Sequence, residues 1–211
     1  MEGNQNKDRR GMMIVLSSPS GAGKTSLSRE LLKENKNLFL SISYTTRPPR
    51  PLEVNENDYF FVSNEKFIEM LNKGEFLEHA KVFDNYYGSS KKLVIEKLNK
   101  GKNIIFDIDW QGTRQIRNKN LEYKLVTIYI LPPSKKELLN RLIKREKKNL
   151  KTVKKRMKEF KKDLSKWKEY DQVVINDDLK KCYNVIMKAI KNNKIQFDKE
   201  LIKKHVNKLL S

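Results

Sequence analysis

The fold is decided by the stretch Met12-Met-Ile-Val-Leu-Ser-Ser-Pro-Ser-Gly-Ala-Gly-Lys-Thr25. Its first five residues form an apolar run typical of a buried strand, and glycine-rich sequence follows at once. A helix is predicted next, from about Lys24 to Glu34. A strand, a glycine-rich loop and a helix in this order are the setting that a phosphate-binding loop requires.

The predicted loop has the residue types that phosphate binding needs. Glycines at positions 21 and 23 allow backbone N–H groups to turn toward an anion, and the helix N-terminus adds its dipole. Lys24 is expected to reach the transferable phosphates, and Thr25 to offer its hydroxyl to Mg²⁺. Ser18 stands where the usual pattern has its first glycine, a position that requires glycine only if φ is positive. A glycine-rich turn without a ligand is the alternative. The predicted ATP-binding residues of the loop are Ser20, Gly21, Ala22, Gly23, Lys24, Thr25 and Ser26.

Further short apolar runs recur along the chain, each followed by a helix-like stretch. They are Leu38 to Ser43, Asn103 to Ile108, Leu125 to Ile130 and Gln172 to Ile175. This alternation predicts an α/β fold, with a doubly wound parallel sheet and helices on both of its faces.

Other segments depart from this alternation and indicate additional parts. Prolines, tyrosines and short alternating segments predict a small α+β lobe, the acceptor lobe, and long charged helices interrupted near Lys147 to Leu150 predict a mobile helical lid. The resulting organisation is a disordered leader (1–11), one domain (12–194) and a helical tail (195–211). Within the domain we distinguish a core (12–44, 91–133 and 171–194), the acceptor lobe (45–90) and the lid region (134–170).

Composition narrows the possible partners. The chain of 211 residues has a formal net charge of +20, with 37% hydrophobic and 34% charged residues. This charge favours polyanions, which include nucleic acid, acidic membranes and phosphorylated small molecules. The lysines are spread along the chain, so a solvated surface is favoured and no nucleic-acid partner is expected. Cys182 is the single cysteine, which excludes an internal disulfide and fits a reducing compartment. Without an apolar stretch of membrane-spanning length, we expect a cytoplasmic protein with no membrane partner.

Six further motifs occur in order between the phosphate loop and the middle of the chain. They are Ser43-Tyr-Thr-Thr-Arg-Pro-Pro-Arg50, Glu53-Val-Asn55, Asp58-Tyr59, Glu75-Phe-Leu-Glu78, Asn85-Tyr-Tyr-Gly-Ser89 and Asp107-Ile-Asp-Trp-Gln-Gly112. With the loop, they make the chain resemble the guanylate kinase family from about Met13 to Lys191. The resemblance implies a P-loop nucleoside monophosphate kinase that transfers the terminal phosphoryl group of Mg-ATP to GMP and gives ADP and GDP.

The acceptor lobe supplies groups suited to a monophosphate. Two anions must meet against their repulsion, and Arg47 and Arg50 can supply the positive charge. Tyr59 and Tyr87 add neutral O–H donors. In the family that the chain resembles, residues at these four positions hold the GMP phosphate.

For the base, guanine presents N–H donors where adenine presents an acceptor at N1, so a carboxylate favours guanine. Glu78 is the candidate, although the polar face of an edge strand explains it equally well without the surrounding match. The resemblance adds Asp109 as a second carboxylate, Ser43 as a donor to guanine O6, and Gly88 and Ser89 along the nucleotide.

The remaining predictions concern magnesium and the ATP side. Asp107 follows an apolar strand, where phosphate-loop enzymes place the carboxylate that holds the water shell of Mg²⁺. The resemblance adds Asn176 near the ATP base, although Asp177 or Asp178 next to it could equally be an ordinary helix N-cap. The resemblance also assigns, together with Lys24, the catalytic arginines, which are Arg141, Arg145 and Arg156. The alternative for those arginines is that they are three more exposed cations in a helix already rich in lysine. The segment Lys144-Arg-Glu-Lys-Lys-Asn-Leu-Lys151 in the same region also departs from the family pattern.

Other functions remain as alternatives. A non-catalytic guanylate-kinase-like module that binds a phosphorylated peptide would not need Lys24 and Thr25. Glu78 and Ser43 together disfavour a kinase for another nucleoside monophosphate. An RNA-binding function is disfavoured because the sequence has no aromatic-rich binding motif. The sequence leaves the oligomeric state open.

Overall fold

The predicted alternation of strands and helices recurs along the described chain. The strands are β1 (Met13–Ser17), β2 (Leu38–Leu40), β3 (Tyr44–Thr45), β4 (Phe60–Phe61), β5 (Phe76–Val82), β6 (Asn85–Ser90), β7 (Asn103–Asp107), β8 (Leu125–Leu131) and β9 (Gln172–Ile175). The helices are α1 (Lys24–Glu34), α2 (Asn64–Asn72), α3 (Lys91–Asn99), α4 (Trp110–Asn118), α5 (Lys135–Arg145), α6 (Leu150–Leu164), α7 (Leu179–Asn192) and α8 (Lys199–Leu210), and a 3-10 helix spans Ser165–Glu169.

These bounds come from a computed structural model that describes residues 10–146, 149–192 and 197–211. Most of the predicted leader therefore lies outside the described residues. The same is true of residues 147–148 in the predicted lid region and of residues 193–196, where the predicted domain gives way to the tail.

One sheet contains five strands in the order β2-β7-β1-β8-β9. β2 pairs in parallel with β7, and β8 pairs in parallel with β9. All five residues of β1 are buried, as are Ile105 in β7 and Ile128 in β8. Burial along whole strands is typical of a parallel sheet covered by helices. The prediction of an α/β fold built on a parallel sheet is confirmed.

The run from Leu38 to Ser43, predicted as one strand, forms a strand only over Leu38–Leu40, and the next strand, β3, begins after it at Tyr44. β2 ends at Leu40, and Ser41 still donates its N–H to the Ile105 carbonyl at 2.8 Å. β3 then pairs antiparallel with β6 in a second sheet of order β4-β3-β6-β5. The apolar pattern did not reveal that the strand ends at Leu40, because the residues that follow, up to Ser43, are still buried or partly buried.

Chain contacts divide the protein into two compact units. Unit 1 comprises Met1–Ile14 and Asn35–Leu125, and unit 2 comprises Val15–Glu34 and Val126–Ser211. In unit 1, Phe67, Met70 and Phe76 form a buried cluster between α2 and the second sheet. The Gln115 side chain fastens α4 to β5, since it accepts from His79 N at 3.0 Å and donates to His79 O at 2.6 Å.

Unit 2 has its own core, which fixes α5 and α6. Tyr129 on β8 is almost fully buried in this core and donates its hydroxyl to the Asp163 carbonyl at the end of α6, at 2.6 Å. α8 belongs to the same core through Ile202, Val206 and Leu209.

The predicted interruption of the charged helices corresponds to the gap between α5 and α6. Ser134 caps α5, and Asn149 caps α6 by accepting from Thr152 N. Movement of this region as a lid stays a prediction. In the described part of the chain, no helix combines the length and the apolar character needed to span a bilayer.

Candidate active site

The phosphate loop lies between β1 and α1 in unit 2, with the backbone that its sequence predicts. Gly21 and Gly23 have φ of 91° and 101°, a region that side chains other than glycine rarely adopt. A Cβ on Gly23 would overlap the amide nitrogen of Asn176. Ser18 is not among the residues with positive φ, so serine is acceptable where the usual pattern has its first glycine.

Asn176 holds the phosphate loop from outside. Its amide donates to the Ala22 carbonyl at 2.8 Å, and Arg141 Nη1 donates to the same oxygen at 3.3 Å. Both donors lie in unit 2 with the loop. These two hydrogen bonds hold the Ala22 carbonyl in one orientation and so stabilise the loop conformation in which backbone N–H groups turn toward an anion. A contact between Asn176 and the ATP base stays a prediction. Asp178 accepts from Lys181 N at 2.7 Å, so it caps α7.

The three arginines predicted from the lid region all reach the phosphate loop. Arg145 Nη2 and Arg156 Nη1 each donate to the Ser20 hydroxyl oxygen at 2.7 Å. Arg141 is oriented by Glu137, which accepts from its Nε at 2.9 Å one helical turn away. These side chains therefore converge on one loop instead of pointing separately into solvent, as the alternative interpretation required.

Arg47 and Arg50 lie together in unit 1, joined by Glu53. Arg47 Nη2 is 3.0 Å from the Glu53 carboxylate, and Arg50 Nη1 is 3.5 Å from it. The Arg50 backbone N–H also donates to Glu53 at 2.7 Å. Burial by itself would lower the pKa of Arg47, but the hydrogen bond to Glu53 and the neighbouring Tyr87 outweigh it and raise that pKa. Arg47 therefore stays charged.

Two tyrosines complete this cluster. The Arg47 guanidinium lies 5.3 Å from the centre of the Tyr59 ring, and the Tyr59 and Tyr87 rings meet edge to face at 6.1 Å. Burial raises the pKa of Tyr59, and the negative charge of Asp107 raises it further. Tyr59 is thus a neutral hydroxyl donor beside two cations, a combination suited to the oxygens of a phosphate.

Glu78 is a buried carboxylate in the interior of unit 1. Its side chain lies on β5 with only 2% of the residue exposed, and its Oε1 accepts from Ser89 Oγ at 2.6 Å. Gly112 in α4 approaches so closely that a Cβ there would overlap Glu78 Oε2. Burial removes water from a carboxylate, and hydrogen-bond donors must replace that water to offset the cost of desolvation. A buried carboxylate in a fixed position is therefore suited to bind the N–H donors of a ligand.

The neighbouring residues have local structural tasks as well. Asp109 caps α4, since it accepts from the backbone N–H of Gln111 at 2.9 Å and of Gly112 at 3.1 Å. Gly88 is packed against the ring of Phe76, where a Cβ would lie at 2.8 Å. Ser43 is buried, and its carbonyl accepts from Phe60 N. Packing and capping explain these residues locally, and their contacts with a nucleotide stay predictions.

Two carboxylates in these clusters were missed by the sequence interpretation. Glu53 lies three residues after Arg50 and six after Arg47 and begins the motif Glu53-Val-Asn55, but the sequence interpretation gave it no role. Glu146 lies within ion-pair distance of Arg145 at 3.0 Å and of Arg156 at 3.1 Å. The sequence offered one indication of these ion pairs, which is that each acid lies near an arginine along the chain. Such neighbours are common in a chain rich in charged residues, so this indication could not identify the pairs that form.

The donor set fits magnesium, an ion that is usually held by a few oxygen ligands together with phosphates and water. Thr25 places a hydroxyl in the first turn of α1, and Asp107 places a carboxylate at the end of β7. Over the described ranges, no three or more His, Cys, Asp or Glu side chains cluster as a metal site.

Comparison with known proteins gives consistent matches. The family model described as guanylate kinase matches residues 10–193. A guanylate kinase of Paramagnetospirillum magneticum is 46% identical over 193 residues, covering 92% of this chain and 90% of its own. A guanylate kinase of Ruegeria pomeroyi is 43% identical and covers 97% of this chain and 96% of its own. The crystal structure of guanylate kinase from Anaplasma phagocytophilum superposes with a TM-score of 0.73 at 31% identity, covering 89% of this chain and 88% of that one.

Proposed function

This chain belongs to the guanylate kinase family, and from that premise we infer that it is an ATP:GMP phosphotransferase. An oxygen of the GMP phosphate forms a bond to the terminal phosphorus of ATP, and the bond from that phosphorus to ADP breaks. The products are ADP and GDP. Such a transfer needs little covalent chemistry from the protein, so catalysis is mostly positioning and charge stabilisation.

We assign ATP to unit 2. The loop amides around Gly21 and Gly23 would bind its phosphates, with Lys24 at the group that is transferred. Ser20, Ala22, Thr25 and Ser26 complete the assigned loop residues, and Asn176 holds the loop in shape. Thr25 would be an oxygen ligand of Mg²⁺, with Asp107 assigned to the water shell of the ion. When bound, Mg²⁺ neutralises phosphate charge that would otherwise repel the acceptor.

We assign the GMP phosphate to the cluster of Arg47, Arg50, Tyr59 and Tyr87. The two guanidinium groups supply charge and directed N–H donors, and the tyrosines supply neutral donors for the oxygens that do not react. Glu53 is added to this assignment because it holds both arginines. Its own negative charge keeps them close together in the absence of a phosphate.

The proposal that GMP is the acceptor rests on the buried Glu78 carboxylate. Guanine offers N–H donors to this group, whereas adenine offers a lone pair at N1 that a carboxylate repels. Ser89 fixes one carboxylate oxygen at 2.6 Å, and Gly112 leaves room for the other. Ser43, Gly88 and Asp109 are assigned to the same nucleotide by the family resemblance.

Arg141, Arg145 and Arg156 are assigned to charge that develops during transfer. Their support is that each donates to the phosphate loop, through Ser20 or through the Ala22 carbonyl. Preorganised cations stabilise a transition state without reorganisation cost at the moment of reaction. A cytoplasmic location remains our prediction from the single cysteine and the composition.

The decisive experiment is a coupled assay of ADP release with Mg-ATP and each of GMP, AMP, CMP and UMP. We expect turnover with GMP, loss of turnover in Lys24→Ala, and loss of the preference for GMP over AMP in Glu78→Gln. Lys36→Ala, at an exposed lysine after α1, and Glu200→Gln, at a carboxylate whose side chain is 73% exposed, are the matched controls and should behave as the wild type. If no monophosphate supports turnover, a phosphopeptide-binding module or an RNA-binding protein replaces the enzyme as the conclusion.

A further inference from the structure

Glu146 occupies an unusual place between two of the assigned catalytic arginines. The residue ends α5, where its backbone N–H donates to the Leu142 and Lys144 carbonyls. Its Oε1 accepts a hydrogen bond from Arg145 Nε at 3.0 Å. The same oxygen forms an ion pair with Arg156 Nε at 3.1 Å. One carboxylate oxygen thus joins a residue of α5 to a residue of α6.

The other ends of the same two guanidinium groups meet at Ser20. Arg145 Nη2 and Arg156 Nη1 both donate to the Ser20 hydroxyl at 2.7 Å. A hydroxyl oxygen has two lone pairs, so two donors fill its acceptor capacity. Arg145 is therefore hydrogen-bonded to the carboxylate at Nε and to the loop hydroxyl at a terminal nitrogen. Arg156 is held by its ion pair with the carboxylate and by its own hydrogen bond to the hydroxyl.

Charge explains why the carboxylate matters. Two guanidinium groups that converge on one neutral oxygen repel each other, and the repulsion is strong where water is excluded. The Glu146 and Arg156 side chains are only 12% and 13% exposed, so water is excluded on that side of the pair, whereas the Arg145 side chain is 37% exposed. A negative charge shared by both cations offsets this repulsion before any phosphate is bound.

We propose that Glu146 is a positioning residue that holds Arg145 and Arg156 together at Ser20 of the phosphate loop, so that both cations are in place when a nucleotide arrives. This role rests on the proposed function of the two arginines. Glu146 itself carries one unit of negative charge near the nucleotide phosphates, so it weakens ground-state attraction while it improves alignment.

The proposal predicts opposite effects on rate and on affinity. In Glu146→Gln, one oxygen remains as an acceptor, but the charge that pairs the arginines is lost. We expect kcat to fall about tenfold, which is less than the 100-fold to 1,000-fold loss on removing a catalytic donor itself. The KM for ATP should stay unchanged or fall, because the net charge near the phosphates rises by one. A general weakening of the fold would not lower kcat and KM together.

The experiment compares wild type, Glu146→Gln, Arg156→Lys and the double variant in steady-state kinetics with saturating GMP. Glu200→Gln makes the same change of charge on α8 and serves as the matched control. If Glu146 acts through the arginine pair, its substitution should matter much less in the Arg156→Lys background. A kcat for Glu146→Gln equal to or above that of the wild type, or the same fold-change in both backgrounds, would overturn the proposal.

A second measurement separates this inference from the proposed function. In ¹⁵N-labelled protein without nucleotide, the Nε–H signal of Arg145, assigned with Arg145→Lys, should be protected from solvent exchange and should lose that protection in Glu146→Gln. Protection that is unchanged overturns the positioning role, even if the wild type phosphorylates GMP. Protection that is lost supports the positioning role, and a wild type inactive toward GMP would then refute only the proposed function.

Discussion

Substitution of Gly112 by alanine tests whether the buried Glu78 carboxylate recognises the acceptor base. A Cβ at this position would lie 3.0 Å from Glu78 Cδ and would overlap its Oε2. Glu78 is held by the 2.6 Å hydrogen bond from Ser89, so the carboxylate cannot make room without leaving that bond. Gly112 lies inside α4 and is not among the glycines with positive φ. The backbone therefore accepts alanine, and the variant reports on side-chain contacts, chiefly the overlap with Glu78 and in second place Ile108 Cδ1 at 3.2 Å.

The magnitude follows from that overlap. We expect the carboxylate to move by about 1 Å, and a misplacement of this size costs on the order of 100-fold in catalysis. Overpacking costs about 1–3 kcal/mol in the free energy of unfolding, offset by about 1 kcal/mol of helix propensity. In the coupled assay, kcat/KM for GMP should fall about 100-fold. Calorimetry should find the ATP dissociation constant unchanged, because the phosphate loop belongs to unit 2.

The control is Gly74→Ala. Gly74 has φ of 67°, and no atom lies within 4 Å of a Cβ built there. Alanine should therefore cost about 1–2 kcal/mol of backbone strain without reaching Glu78, and the kinetics with GMP should be retained. A folded Gly112→Ala protein with normal kcat/KM for GMP would refute the assignment of Glu78 to the base.

Three further predictions concern unit 2. Asn176→Ala removes the amide that donates to the Ala22 carbonyl at 2.8 Å and should weaken ATP binding by about 1–2 kcal/mol, or roughly 5-fold to 30-fold. Calorimetry that shows unchanged ATP affinity in a normally folded variant would contradict this prediction. Tyr129→Phe removes the hydroxyl that donates to the Asp163 carbonyl at 2.6 Å. The free energy of unfolding, measured by denaturant titration, should fall by about 1–2 kcal/mol while activity is retained. Unchanged stability would count against a contribution from this hydrogen bond. Burial raises the pKa of Cys182 to about 11, so the folded state keeps this proton while the unfolded thiol, with a pKa of about 8.5, ionises. The resulting stability is full below about pH 8.5 and decreases by on the order of 2 kcal/mol as the pH rises toward 11; if Cys182→Ala shows the same loss between pH 7.5 and 10.5, another group is responsible.

Local sequence was sufficient for the phosphate loop. An apolar strand, glycines at 21 and 23 and a helix that begins at Lys24 follow from properties of neighbouring residues, and the structure has α1 at the predicted bounds of Lys24–Glu34. The α/β class followed from repeated apolar runs. Periodicity could not show that β2 ends at Leu40 or that β3, which begins at Tyr44, joins a second sheet, because a strand carries no local mark of its partner.

The acceptor cluster was predicted in part. Four residues were chosen for charge and hydrogen-bonding capacity, and the structure brings them into one cluster: Arg47, Arg50, Tyr59 and Tyr87. Glu53 was not chosen, although it holds both arginines. An acid near a base in sequence is common in this chain, and only the fold shows which of these pairs make contact.

The sequence by itself determined the class of the fold, the phosphate loop and the residue types available for two nucleotides, since these depend on short-range periodicity, glycine conformation and side-chain chemistry. Only the tertiary structure decided which charges are neighbours. Glu78 meets Ser89 and Gly112, and Glu146 meets Arg156, because strand pairing and helix packing bring together residues that the sequence separates. The strength of each contact then depends on burial, a property of the folded chain that no single residue carries.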